Sequence, residues 1–583
     1  MSILLHNNLK LSLSNSILAA ATKAFGESPL TAEQVYNSLT TAPNPKMGHI
    51  AFACFPLAKA FKSAPPQIAT KLLENLEENE FILKAITAGP YLNFFVNTQS
   101  VAKSIFPQII SGKFFDTELT ENSPKTIIEF SQPNTHKELH VGHMRNLCLG
   151  DAIIKLHRYC NYPTISTTFP GDVGTHVAKC LWYFKKHNKE DVPSQRKGAW
   201  LGRLYTKGNN LLEQQKGSPQ EDENRAELTS ILKQLEAKSG EYYDLWVETR
   251  KWSIDLMSEV YKWANVEFDS WYWESDVDSD SVKLIKEYQE KGLFKEDQGA
   301  VGIDLSDEKL GFCILLKSDG TGLYATKDIE LARRKFEDHQ VEKSVYVVDN
   351  RQSHHFKQVF NILGKMGFEN SKNCLHLQYE MVELTDGAMS SRKGNIVALQ
   401  ELIDKMVLKI KTDYLQKYEG QWSSDEINST ANIIASGAIK YGMTRVDSNK
   451  KIVFDMSEWL KLDGESGPYI QYVYARISSM VQKLQGDFKS DYSKLTTDNE
   501  QQIILKLSEF NSVVLQACEE SKTHLLTGYL YDLSKLFNSF YAESQISNAE
   551  ESLKGARIDM CNSVAITIKK GLELLGIQAP SRM

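Results

Sequence analysis

Of the 583 residues, eight are cysteines (54, 148, 160, 180, 313, 374, 518 and 561), and no two of them form a C-x-x-C pair. That scatter excludes a zinc ribbon and a dense disulfide framework, and it suits free thiols in a reducing cytoplasm. No apolar run is long enough to span a bilayer. The first arginine is Arg145, and residues 1–26 interleave polar side chains with Leu and Ile. Neither an Arg-rich transit peptide nor a secretory signal is therefore expected, and the expected compartment is the cytoplasm. There is no excess of positive charge: the net charge is −7 and the pI about 6.1. Such a balance argues against indiscriminate coating of nucleic acid, while a local basic groove remains compatible with it. Internal repeats and low-complexity stretches are also lacking.

What is present suits a large globular enzyme: 42% hydrophobic and 10% aromatic residues. The length is enough for several domains. The pattern divides it into a small α/β module over residues 1–110, an alternating α/β region over 120–400, a helical connective region over 401–460 and a helical tail over 461–583. Helical periodicity dominates residues 3–25, 32–40, 56–61 and 64–75, and residues 91–96 read as a strand. Residues 185–240, rich in Gln, Lys and Glu, read as a helical insertion. Residues 242–264 form an amphipathic helix whose Trp246, Trp252 and Trp263 are expected in the core. The fold class that follows is α/β, with a doubly wound, Rossmann-type parallel sheet carrying an N-terminal α/β module and a C-terminal all-helical domain.

The most informative stretch is 129–151. A hydrophobic strand (Thr126-Ile127-Ile128-Glu129-Phe130) passes through a polar turn into His140-Val141-Gly142-His143 at the start of a helix. A helix N-terminus offers free N–H groups and the positive end of the dipole to an anion. Two histidines one turn apart add donors for phosphate, and Gly142 leaves room for a flat base. The alternative is a surface turn. Downstream, Met389-Ser390-Ser391-Arg392-Lys393-Gly394-Asn395 has the makeup of a phosphate clamp, in which a cation stabilises developing charge. The alternative there is a solvated basic loop.

Strand, H-x-G-H and helix together resemble the HIGH signature of class I aminoacyl-tRNA synthetases, and Met389–Asn395 resembles their KMSKS loop. Ala388 and Ser391 stand where that loop has its two lysines. Members of the arginyl family that lack the second lysine carry one just before HIGH, and Lys137 is in that place. Either Lys137 or the Arg392/Lys393 pair is left to neutralise pyrophosphate.

Glu129, Ser131, Pro133 and Asn134, then Tyr324-Ala325-Thr326-Lys327-Asp328, then Gln352 after the next strand, resemble the arginyl-tRNA synthetase pattern. The resemblance implies that Glu129, Tyr324 and Asp328 hold the guanidinium and that Asn134 and Gln352 hold the α-ammonium, with Ser131 in the same pocket. The physics agrees. A guanidinium is a planar fork best matched by carboxylates, and Tyr324 and Asp328 share a face if their segment is helical. The alternatives are a helix cap for Asp328 and a salt bridge to a core cation for Glu129.

The same resemblance implies an N-terminal domain that binds the tRNA elbow and a C-terminal anticodon-binding domain. Tyr469, Tyr472, Arg476 and the terminal Met583 are its candidate tRNA contacts, and helix-core tyrosines are the alternative. The implied reaction activates L-arginine with ATP and transfers it to tRNA(Arg). Mg²⁺ is carried with ATP, no protein-held metal is expected, and the chain acts as a monomer away from membranes. Competing readings are a synthetase for another amino acid and a non-catalytic RNA-binding relative.

Overall fold

The computed structural model describes every residue except 1, 27, 385–386, 389–397, 485 and 487. The phosphate-clamp candidates Met389, Ser390, Ser391, Arg392 and Lys393 thus lie outside the described residues.

The centre of the chain is a five-stranded sheet. Its strands are β1 (Thr126–Glu129), β2 (Thr164–Thr168), β3 (Ser270–Trp271), β4 (Lys343–Asp349) and β5 (Cys374–Tyr379). They lie in the order β5-β4-β1-β2-β3, and every neighbouring pair is parallel. β1 is buried along its whole length and β4 over Ser344–Val347, as expected for strands covered on both faces. From β1 the chain winds one way through β2 and β3, then returns to the other side of β1 for β4 and β5. The order therefore reverses between β1 and β4. In doubly wound sheets, ligands bind beyond the carboxyl ends of the strands at such a reversal, which here means beyond Glu129 and Asp349.

Six helices matter for the site: α1 (Val141–Tyr159), α2 (Glu241–Trp263), α3 (Glu274–Glu290), α4 (Tyr324–His339), α5 (Ser353–Lys365) and α6 (Gly467–Lys483). Residues 185–240 contain the helices Lys197–Gln214 and Gln220–Glu236. Of the three tryptophans of α2, Trp252 is buried, while Trp246 and Trp263 are half-buried with indole N–H groups donating to the Asp172 carbonyl and to Asn432.

The N-terminal module holds more sheet than its helical periodicity indicated. Four antiparallel strands occur (Leu39–Thr41, Ile50–Ala53, Ile82–Ala88 and Tyr91–Val96). Three are short or lie at an edge, where alternation is too brief to register as a period. The module is not isolated. Its Leu13, Phe94 and Phe106 share one hydrophobic core with Ile503, Phe510 and Phe537 of the helical tail. Asn7 donates to the Ser508 carbonyl and Gln99 to that of Leu495. The connective region is helical apart from short pieces such as Ile452–Phe454, which pairs in parallel with Val382–Leu384. All eight cysteines are free, seven of them buried.

Candidate active site

The turn between β1 and α1 is held by buried hydrogen bonds. Ser131 and His136 adopt left-handed backbone conformations (φ 58° and 59°). Non-glycine residues keep such conformations only where their surroundings enforce them. The Ser131 amide donates to Asn146 Oδ1 at 2.6 Å, and its hydroxyl meets the Tyr261 hydroxyl at 2.9 Å. The His136 ring is fully buried between Thr135 and Thr249, and its amide donates to Ser253. Asn134 bridges to Gly171, where a Cβ would fall 2.5 Å from the Asn134 side-chain oxygen. A side chain there would displace the Asn134 amide from its place.

His140 is the N-cap of α1. Its Nδ1 accepts from the Gly142 amide, and its own amide donates to His143 Nδ1, both at 3.1 Å. With each Nδ1 an acceptor, the ring proton of each histidine sits on Nε2. The rings lie 3.9 Å apart. Burial, then the charges of Lys137 and Arg351, push His140 down to about 4. Burial, then His140 and Lys137, hold His143 well below its ordinary value. Both rings are neutral at pH 7 and supply N–H donors beside the helix N-terminus.

These histidines line a cleft of about 800 Å³ together with Gly142, Glu129, Ser131, Asn134, Tyr324, Asp328 and Gln352. Nine of the residues singled out from the sequence thus converge on the switch point. Tyr324 and Asp328 open α4 one turn apart, and Tyr324 is 73% exposed. Glu129 is ion-paired with Lys335, which is fully buried against the face of Tyr346. Its second oxygen accepts from Gln132 at 3.0 Å. Asp328 accepts from His355 Nε2 at 2.5 Å. Lys137 sits in an adjoining cleft with Lys179, Lys327 and His176, its ammonium 5.2 Å from the centre of the Tyr205 ring. Its charge still reaches both catalytic-motif histidines.

Sequence reasoning passed over Glu274. It opens α3, faces both clefts and is 3.6 Å from Lys327. Burial raises its carboxyl to about 7, against the pull of Lys327 and with the push of Asp172 and Asp328. No local motif marks it, since an isolated acid after Trp271-Tyr272-Trp273 has no telling spacing. Lys335 was passed over for the same reason, while His355 closes the segment after β4 that resembles the arginyl pattern but carried no role there.

A second cleft, of about 950 Å³, lies between residues 418–422 of the connective region and the helical tail. Tyr472, Arg476 and Met583 line it. Arg476 donates to the Tyr472 hydroxyl at 2.9 Å and to Asn538 at 3.1 Å. Tyr469 is not among its lining residues. It is buried, and its hydroxyl accepts from Asn538.

Comparison with known proteins decides the family. The family model for the class I (R) tRNA synthetase catalytic domain matches residues 106–456. That for the arginyl-tRNA synthetase N-terminal domain matches 11–96, and that for the DALR anticodon-binding domain 470–583. The chain belongs to the arginyl-tRNA synthetase family. The arginine–tRNA ligase of Bdellovibrio bacteriovorus is 54% identical over 99% of this chain and 100% of its own length. That of Halothermothrix orenii is 32% identical over 95% and 97%. The solved arginyl-tRNA synthetase of Thermus thermophilus superposes with a TM-score of 0.81 at 26% identity, covering 99% of this chain and 100% of its own. As in that family, the parallel-sheet catalytic domain is followed by a helical anticodon-binding domain.

Proposed function

We propose that arginine–tRNA ligation by this chain takes place in the switch-point cleft, with its two ends divided between phosphate and guanidinium. ATP lies against α1. An oxygen of the arginine carboxylate attacks the α-phosphorus, the bond to the β-phosphate oxygen breaks, and pyrophosphate leaves. A ribose hydroxyl at the tRNA 3′ end then attacks the arginyl carbonyl, and AMP departs. His140 and His143 donate their Nε2–H groups to the phosphate oxygens as charge builds in the transition state. Fixed donors of this kind need no reorganisation when the charge develops.

Lys137 is the cation that neutralises departing pyrophosphate, together with Arg392 and Lys393. Its reach to both histidines supports that role. Met389, Ser390 and Ser391 take their places in ATP binding from the family resemblance. Mg²⁺ travels on the triphosphate, whose oxygens are the hard donors it takes. Among the described residues no group of three His, Cys, Asp or Glu side chains converges to hold a metal ion.

At the other end, Asp328, Glu274 and Tyr324 receive the guanidinium. Glu129, its charge already met by Lys335, joins Ser131, Asn134 and Gln352 around the α-ammonium. Tyr472, Arg476 and Met583 contact the anticodon loop, while Tyr469 braces the helix that carries Tyr472 and Arg476. Residues 1–110 bind the tRNA elbow, 120–400 form the catalytic domain, 401–460 connect, and 461–583 bind the anticodon. The enzyme acts as a cytoplasmic monomer, and no described helix is long and apolar enough to cross a membrane.

The observation that carries this reading is one cleft with neutral N–H donors at a helix N-terminus and carboxylates opposite. It is tested by charging total tRNA with each labelled amino acid in turn, with ATP and Mg²⁺ supplied. Arginine alone should be esterified. A different amino acid on the tRNA would mean that the Asp328/Glu274 end is misread.

A further inference from the structure

Four carboxylates line the switch-point cleft: Glu129, Glu274, Asp328 and Asp349. Among the described residues, three of them meet a permanent cation. Glu129 pairs with Lys335. Asp349 takes Arg351 in a two-pronged contact, at 2.7 and 3.0 Å. Glu274 shares Lys327 with Asp278, at 3.6 and 3.2 Å. Asp328 differs: its ion partner is His355, with Nε2 2.5 Å from Oδ2 and both side chains about one-fifth exposed. Histidine is the side chain that can surrender a full charge near neutral pH.

We propose that His355 is a positioning residue for arginine: it holds Asp328 in the empty cleft as a stand-in cation and loses its proton when the guanidinium arrives. This rests on the reading of the cleft given above. In the empty enzyme the imidazolium offsets a carboxylate that would otherwise be half-buried without a counter-charge. When arginine enters, two cations would crowd one carboxylate. The proton leaves Nδ1 for solvent, Nε2–H stays on Oδ2, and Oδ1 is free for the guanidinium. No covalent bond to carbon or phosphorus changes, and the sum is one imidazolium converted to imidazole plus one released proton.

The surroundings fit the exchange. Burial pushes His355 down, but the hydrogen bond and charge of Asp328 outweigh it and the net displacement is upward. The other titratable or charged groups lining the cleft with His355 are Tyr324 on α4, Glu274 on α3, Glu129 on β1, His140 and His143 at the start of α1, Asp349 and Arg351 at the end of β4, and Tyr379 on β5, whose His376 also senses it. His376 is itself held down by burial. Because His355 is raised in the empty enzyme and lowered beside a guanidinium, arginine binding weakens as pH falls through the raised value. The dependence fades above it.

The test is equilibrium dialysis of labelled L-arginine with the full chain from pH 8 to pH 6, using the parent, His355→Gln and Asp328→Asn. Glutamine keeps a donor at the place of Nε2 and cannot take the proton. One exchanging proton changes affinity by at most tenfold per pH unit. The parent should therefore lose about five- to tenfold more affinity across this range than H355Q, with Glu274 titrating as a shared background. An H355Q profile parallel to the parent's would overturn the proposal, as would an equal loss at every pH, which a merely architectural histidine predicts. Arginine binding by D328N as tight as the parent's would instead overturn the reading of the cleft. Calorimetry in two buffers of different ionisation heat at pH 6.5, on the parent and on H355Q, separates the His355 proton from that of Glu274. The parent should release more protons than H355Q, and equal release would overturn the proposal.

Discussion

The switch-point cleft and the cleft beside the helical tail are similar in size and opposite in construction. The one at the switch point is lined by carboxylates already paired with resident groups: Glu129 with Lys335, Asp328 with His355, Glu274 with Lys327. The one in the helical tail is lined by rings and arginines. Tyr418 and Trp422 stack at 4.2 Å, Arg582 lies over Trp422 at 4.6 Å, and Arg476 over Tyr472 at 4.8 Å. Charge recognised away from water demands fixed partners, because a buried ion left alone costs several kcal/mol. Stacking against a nucleobase is tolerant, since every base has a flat face, and each stack contributes about 1–3 kcal/mol. Single substitutions should therefore be severe in the first cleft and graded in the second.

That contrast breaks first at His143. Replacing it by alanine removes a preorganised donor that acts only as charge develops, and loss of one such donor costs about 10²–10³ in rate. H143A should slow ATP–pyrophosphate exchange, measured with tRNA present, by that factor while arginine binding persists. Exchange within tenfold of the parent would take His143 out of the reaction.

Asp328→Asn comes next. It keeps the shape and removes the charge that faces the guanidinium, a loss of about 2–5 kcal/mol for a desolvated charge pair. The KM for arginine should rise at least thirtyfold, with the KM for ATP nearly unchanged. Tyr472→Ala should be milder. The KM for tRNA should rise about fivefold, in line with one lost stack, and the exchange rate at saturating tRNA should not move. A Tyr472 effect as large as that of Asp328, or one felt in the KM for arginine, would erase the distinction between the clefts.

How far the sequence exposed these features depended on how local each one is. β1, the polar turn, His140 and His143 are contiguous, so a single stretch carried strand, cap and donors together. Tyr324 and Asp328 were legible through the resemblance to the arginyl pattern, with which a shared helix face at i and i+4 agreed, and the structure does form that helix. Lys335 and His355 were not legible. Each meets its carboxylate only because α4 and α5 pack beside β1 and β4, and no spacing within the chain encodes that meeting. Glu274 is further still, brought to the cleft by the return of the chain through β3. Residues 91–96 read as a strand and form one, but the other three strands of the N-terminal module escaped for another reason: they are short or lie at an edge, where alternation does not outweigh neighbouring helical periodicity. The alternative for Glu129, a salt bridge to a core cation, is realised in this structure through Lys335.

Glu274 gives the smallest expected effect on stability, a shift of a few degrees, and the sharpest view of what the charged cleft costs. Its folded value of about 7 stands above the ordinary 4.5, chiefly because of burial. The folded chain therefore binds this proton more tightly than the unfolded chain does. That contribution to stability is fully present below pH 4.5 and is lost as pH rises to 7. At pH 8 the empty enzyme carries an ionised carboxylate that burial disfavours, a cost of at most about 3 kcal/mol for a displacement of this size. Glu274→Gln removes the cost at pH 8 and has nothing to remove at pH 5, and Lys327 retains Asp278 at 3.2 Å. E274Q should melt a few degrees above the parent at pH 8 and together with it at pH 5, while losing at least tenfold in arginine affinity at pH 8. Equal gains at both pH values would mean that packing rather than charge is responsible. Unchanged arginine affinity would remove Glu274 from the guanidinium seat and leave Asp328 to hold it with Tyr324. If both halves hold, the cleft is destabilised while empty by the same charge that selects its substrate, a cost the stacking cleft in the tail does not carry.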